Sequence, residues 1–273
     1  MRRAAWAGLV FVAAAVGLGF LALPIVALFT RVPPGDLIRL LGNPVVRDAI
    51  VVSLRTTLIA QVLILIFGTP LAYLLATRRF PGRAVLVTLV ELPLVLPPAV
   101  AGIGLLAALG RFGLLGSTLD AFGVHVGFTQ TAVVLAIAFV AGPFYVRTAI
   151  ASFEGVDPNL VAASRTLGAG PARTFFRVAL PLAGSGLAAG EALAFARGLG
   201  EFGATIMFAG SLQGVTQTLP LAIYAQFEAD FDVAVAMGAL LVVVSFALLL
   251  SLKLVFAWQP SQRISHSVFA RTS

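Results

Sequence analysis

Cysteine is absent from the 273 residues, which excludes disulfides, thiolate metal sites and cysteine nucleophiles. Histidine is nearly absent: His125 and His266 stand far apart, so a multi-histidine metal site is not expected. Lysine occurs once, as Lys253 in the apolar run Leu252-Lys253-Leu254. A phosphate-binding loop needs its lysine after a glycine-rich approach, so the chain lacks the usual P-loop ATPase. Charge of either sign is scarce, at 11% against about 25% in soluble domains. That is too little to cover a water-facing surface of this size and argues against a water-soluble enzyme.

What is present is apolar. Hydrophobic residues make up 60%, against about 45–50% in soluble domains, and the excess is expected to face lipid. Crossing a bilayer takes about 20 mostly apolar residues. Six blocks meet that length, at about 4–30, 50–76, 84–109, 129–150, 182–209 and 233–257. The first follows Arg2 and Arg3 like a secretory signal, but its apolar run is too long for one and reads as an uncleaved helix.

The net charge of +7 would suggest nucleic acid in a soluble chain. Here the basic residues are mostly arginines between apolar blocks, which is how a membrane protein sets its orientation, and no nucleic-acid partner is expected. Arg2, Arg3, Arg78, Arg79, Arg83, Arg165, Arg173, Arg177, Lys253, Arg263 and Arg271 fall on one side. Arg31, Arg39, Arg47, Arg55 and Arg111 fall on the other, with the acidic cluster Glu228, Asp230 and Asp232. The larger set predicts both termini in the cytoplasm.

The connection from about 151 to 181 is long and structured. Asp157-Pro158-Asn159 reads as a helix start, with Asp at the cap and Pro in the first turn. Leu160, Ala163 and Leu167 recur at helical spacing. Gly168 and Gly170 end this helix and Pro171 blocks its continuation. A second short helix is expected over about 172–179, leading through Pro181 into the fifth span. The chain thus presents a small, basic, folded element to the cytoplasm; a helix resting on lipid headgroups is the plainer alternative.

Ala162-Ala163-Ser164-Arg165-Thr166-Leu167-Gly168, nine further residues to Val178, then Leu180-Pro181, resembles the cytoplasmic signature of ATP-binding-cassette importer permeases. It departs at Ala162, where that family carries Glu, and at Ser164, where it carries Ala. Arg197-Gly198-Leu199-Gly200-Glu201-Phe202-Gly203-Ala204-Thr205 is similar to the fifth-helix sequence of the molybdate branch of that family. The run Leu92 to Gly102 is similar to that branch's third-helix sequence, and Thr218 to Tyr224 to its outer segment. The branch also holds tungstate and sulfate permeases.

The resemblance implies an all-α integral membrane protein with six transmembrane helices and the type I importer permease fold. It divides the chain into an N-terminal helix and external segment (1–49), a permease core (50–252) and a cytoplasmic tail (253–273). It implies two cytoplasmic ATPase subunits that bind ATP and Mg, an extracytoplasmic binding protein, and a second permease copy. It places the chain in a bacterial or archaeal cytoplasmic membrane, with no cofactor of its own. Ala162, Ala163, Ser164, Arg165, Gly168, Leu180 and Pro181 would form the ATPase-coupling loop. Arg165 reads equally as a partner contact or a topology anchor, Arg173 as an anchor.

Ionisable residues inside spans are functional candidates. Glu191, Arg197 and Glu201 lie in the fifth block, and Arg197 and Glu201, four apart, share a helix face. A neutralising pair that fixes packing is the favoured reading, because a bare carboxylate repels an oxyanion. Gly200, Glu201, Gly203 and Thr205 remain gate or pathway candidates, with Thr205 offering either a hydroxyl to a passing anion or a bond to its own backbone. Pro97 and Pro98 join them, since prolines there shape a pathway or kink a helix. No converging set of anion donors is legible. A sulfate or thiosulfate permease is the alternative within the family. A secondary transporter would be expected to show an ion relay and often an internal repeat, and neither is clear. An intramembrane hydrolase would need a nucleophile–base pair.

Overall fold

The computed structural model describes residues 2–40 and 42–257, and the tail carrying Arg263, His266 and Arg271 lies outside them. The described residues are helical, without a strand. In order they form α1 (Arg2–Arg31), α2 (Pro34–Leu40), α3 (Pro44–Thr77), α4 (Arg83–Val95), α5 (Pro98–Leu109), α6 (Gly116–Ala121) and α7 (Gln130–Glu154). There follow α8 (Pro158–Thr166), α9 (Pro171–Thr174), α10 (Leu180–Leu199), α11 (Gly203–Ala209), α12 (Leu219–Ala229) and α13 (Phe231–Ala257). Five stretches are long and apolar enough to cross a membrane, and the bent pair α4–α5 makes a sixth.

The expected third span, 84–109, is one helix only in sequence. Pro97 and Pro98 each push the preceding residue out of the helical region. Leu96 and Pro97 are accordingly extended, with ψ of 133° and 132°. Two extended residues in a row turn α5 by 116° from α4.

The fifth span also differs from expectation. The short helix expected over 172–179 and the fifth span form one stretch, from Pro171 to Leu199. A π turn over Phe175–Ala179, in which Leu180 N–H bonds to Phe175 C=O, absorbs the missing N–H of Pro181. The helix then stops ten residues before the expected end at 209. Gly200, Glu201 and Phe202 form a turn, and α11 begins afresh.

The core sits around α7, which packs against α3, α4, α5, α10 and α11. Ala136, Ile137, Ala141, Tyr145 and Ala149 of α7 are buried in it. Small residues allow this closeness: a Cβ on Gly198 would come within 2.8 Å of Ile137 Cγ2. Two ion pairs bolt α4 to α7, Arg83 to Glu154 at 2.6 Å and Glu91 to Arg147 at 3.5 Å. Elsewhere α1 and α13 meet, where Arg31 lies 3.5 Å from Asp232 and over the Phe231 ring. Arg31, in the last turn of α1, thus stands beside one member of the acidic cluster Glu228, Asp230 and Asp232. Apart from such contacts α1 is uncovered: its apolar stretch buries nothing in this chain.

Candidate functional site

The loop helix forms as its sequence dictates. Asp157 caps α8 by accepting the Asn159 N–H at 2.8 Å, and Pro158 opens the first turn. At the other end Gly168 has φ +83°, the left-handed conformation that glycine adopts without strain. Its N–H bonds to Arg165 C=O at 2.9 Å, and Ala169 N–H bonds to Ser164 C=O at 3.1 Å. This is a Schellman cap, and it leaves α8 as a sealed unit. Gly170, extended, caps α9.

The two faces of α8 differ. Pro158, Val161, Ala162 and Arg165 line a cavity against the rest of the chain. Leu160 and Leu167 point away from it and are exposed, Leu167 at 88%. Ser164 Oγ lies 2.9 Å from Thr174 Oγ1, whose residue is wholly buried. The serine that replaces the signature's alanine therefore ties α8 to the foot of the next helix. Ala163 is exposed, Leu180 packs against the core and Pro181 is exposed.

From α9 to Leu199 the backbone is one continuous helical rod of 29 residues, about 43 Å long at 1.5 Å per residue. It joins α8 at one end to the Gly200–Phe202 turn at the other. There the two broken spans meet. A Cβ on Gly203 would come within 2.8 Å of Pro98 Cβ, and one on Gly102 within 2.5 Å of Ala204 C=O. The candidates Pro98 and Gly203, about a hundred residues apart in sequence, thus meet in one seam.

Glu201 closes the turn. One carboxylate oxygen lies 2.7 Å from Arg197 Nη1, an ion pair by distance rather than an aligned hydrogen bond. The other accepts the Ala204 N–H at 2.7 Å, placing the negative charge at the start of α11. Its side chain is 1% exposed and that of Arg197 28%. The expected pair is present, and Glu201 is spent on structure rather than bare. Thr205 is buried, and its hydroxyl bonds neither to its own backbone nor to any other group among the described residues. Gly200 and Pro97 lie on the exposed side of the seam.

A polar lane on α3 was not singled out from sequence. Ser53, Thr57 and Gln61 recur every four residues and are all buried. Ser53 Oγ accepts the Leu219 N–H at 2.6 Å, holding the start of α12. Gln61 lies beside Gly198, and neither of its amide atoms has a partner among the described residues. The same holds for the hydroxyls of Thr57, Thr205 and Thr218. The legible signal was the period of four inside an otherwise apolar span, since unpaired polar groups are costly there. Glu191, half-buried on α10, makes no ion pair among the described residues.

Known proteins resemble the chain in sequence and in fold. Residues 68–259 match the family described as binding-protein-dependent transport system inner membrane component. The chain is 48% identical over 240 residues to the molybdenum transport system permease protein ModB of Mycobacterium bovis, covering 86% of this chain and 89% of that one. It is 43% identical to ModB of Escherichia coli K12, covering 77% and 92%. It is 37% identical to the sulfate transport system permease protein CysT of the same organism, covering 77% and 76%. Among solved structures, a bacterial ABC transporter involved in alginate import aligns over 93% of this chain and 96% of that one, with TM-score 0.71 and 17% identity. The MetNI methionine ABC transporter aligns over 78% and 95%, with TM-score 0.59 and 18% identity. The chain belongs to the inner membrane components of binding-protein-dependent transport systems.

Proposed function

We propose that this chain is the membrane-spanning permease subunit of an ATP-driven importer of molybdate, with tungstate as a close analogue. The observation that carries the mechanism is the rod from Pro171 to Leu199, which links a capped, outward-facing helix to the seam of two broken spans. The exposed Leu160 and Leu167 give α8 an apolar face for the groove of a cytoplasmic ATPase. Closure of two such ATPases around ATP and Mg moves the α8 helices, and the rods transmit that motion to the seams. The seams open outward to receive the ion from an extracytoplasmic binding protein, and hydrolysis resets them. Two copies of the chain form the pathway between them in a bacterial or archaeal cytoplasmic membrane, both termini in the cytoplasm. The chain does no covalent chemistry; ATP and Mg belong to the partner.

Likeness to molybdenum transport permeases at 43–48% identity supports the choice of ion. The sulfate transport relative keeps a sulfate or thiosulfate permease as the second reading. The test is co-purification with a candidate ATPase and binding protein, followed by ATP turnover in liposomes with molybdate, tungstate and sulfate in turn. Stimulation by molybdate and tungstate is expected. Stimulation by sulfate alone selects the second reading, and uptake driven by an ion gradient without ATP overturns both.

A further inference from the structure

The cavity behind α8 has about 620 Å³ and lies where the apolar spans stop, between the last turn of α3, the first of α4, the end of α7 and the inner face of α8. That volume is within the usual range for a small-molecule site, about 300–1,000 Å³. Its floor is apolar: Tyr73 and Phe153 meet edge to face at 5.3 Å between ring centroids. Its rim is cationic, with Arg79, Arg83 and Arg165. Glu154 is the one acidic side chain in the lining, and it is committed to Arg83, which also donates through Nε to Leu75 C=O at 2.6 Å. Arg79 and Arg165 have no acidic partner among the described residues. Two uncompensated guanidinium groups therefore stand over an aromatic floor at the level of the membrane edge.

We propose that this cleft binds a phosphate-bearing ligand, with Arg79 and Arg165 on the phosphate. Guanidinium forks match phosphate oxygens, and a basic recess beside membrane helices selects anionic headgroups. The aromatic floor takes an apolar body, and the neighbouring bilayer supplies both parts in an anionic phospholipid. The face of α8 that would meet the ATPase is the opposite one, so ligand and motor do not compete for Leu160 and Leu167. A ligand wedged here ties α8 to the α3–α4 corner. That consequence rests on the importer reading, whereas binding itself does not.

Native mass spectrometry of the full chain, stripped of lipid in neutral detergent, tests binding directly. Phosphatidylglycerol, phosphatidylcholine and inorganic phosphate are added in separate arms. Retention of phosphatidylglycerol over phosphatidylcholine, weakened about thirtyfold in R79A/R165A, is expected. R79K/R165K should keep most of the charge preference and reports on folding. Arg39→Ala, outside the cleft, should leave retention unchanged. Binding of inorganic phosphate that R79A/R165A abolishes, without retention of phosphatidylglycerol, supports the phosphate site and assigns a soluble source. Equal retention of the two lipids with no phosphate binding, or selectivity unchanged in R79A/R165A, overturns the site whatever the chain transports.

Discussion

Gly203 of α11 lies against Pro98 of α5 so closely that a β-carbon at 203 would stand 2.8 Å from the proline's own. Each residue belongs to a span that breaks, and the two breaks support each other. Proline supplies the bend in one, and glycine supplies the room for the other. Gly102 repeats the arrangement a turn further along α5, where its missing side chain admits the Ala204 carbonyl. A seam of this kind is tight and leaves little slack for added volume.

Gly102→Val should therefore be strongly disruptive. Its β-carbon meets backbone at 2.5 Å, and backbone cannot swing aside as a flexible side chain does. Overpacking costs typically about 1–3 kcal/mol, and this site belongs at the upper end. Gly104→Val on the same helix meets open space and is the control. Thermal unfolding of the two purified variants measures the difference, and equal midpoints would show that α5 and α11 are not packed as described.

The Arg197–Glu201 pair predicts an asymmetry. Removing one partner of a buried pair costs about 3–5 kcal/mol because a charge is left uncompensated. Arg197→Gln leaves the carboxylate of Glu201 at 1% exposure and should approach that cost. Glu201→Gln leaves Arg197, already 28% exposed, with a route to water, and the new amide oxygen still accepts the Ala204 N–H. It should cost less than half as much. The double variant should recover part of the loss of Arg197→Gln. Denaturant midpoints for the three variants check the order, and a worse Glu201→Gln would mean that the carboxylate itself is needed.

Much of this was legible in sequence, for reasons that differ by element. Asp157, Pro158 and Gly168 announce α8 because capping is local: each residue acts on backbone groups within five positions of itself. The spans were legible because lipid imposes a length. The register of the breaks was not. Pro97 and Pro98 signal a disturbance, but its size, 116°, depends on α5 finding α11 to pack against. That the short helix over 172–179 joins the fifth span without interruption was not legible either, because the π turn ahead of Pro181 carries no local signal. Ser164 looked like a weak match to a family signature until Thr174 appeared beside it. The period of Ser53, Thr57 and Gln61 marks a polar lane on α3, but it says nothing of the glycine that faces Gln61.

Ser164→Ala removes the one partner that the buried Thr174 hydroxyl has among the described residues. An unsatisfied buried hydroxyl costs about 1–3 kcal/mol, so the joint between α8 and α9 should loosen while the spans stay intact. Hydrogen exchange of the amides from Gly168 to Thr174 should quicken, with exchange in α7 unchanged. Ser164→Thr keeps the hydroxyl and should preserve most of the protection. If exchange is the same in all three proteins, the joint is held by packing and not by this bond.

Gly168 carries the sharpest test of the mechanism. At φ +83° a side chain is strained whatever the space around it, and the left-handed region costs an ordinary residue about 1–2 kcal/mol. A β-branched residue is worst, whereas asparagine tolerates the conformation. The space itself is open, so a Val here strikes no neighbour and acts only through the backbone. Gly168→Val should thus undo the Schellman cap, shifting Ala169 off Ser164, while leaving the buried core alone. In the assembled transporter this predicts ATP hydrolysis that continues while uptake falls severalfold, because α8 no longer ends rigidly where the rod begins. Gly168→Asn should retain most uptake. Paired measurements of phosphate release and ion uptake in the same liposomes decide it. Unchanged coupling in Gly168→Val would show that motion reaches the membrane by a route other than the α8–α9 joint.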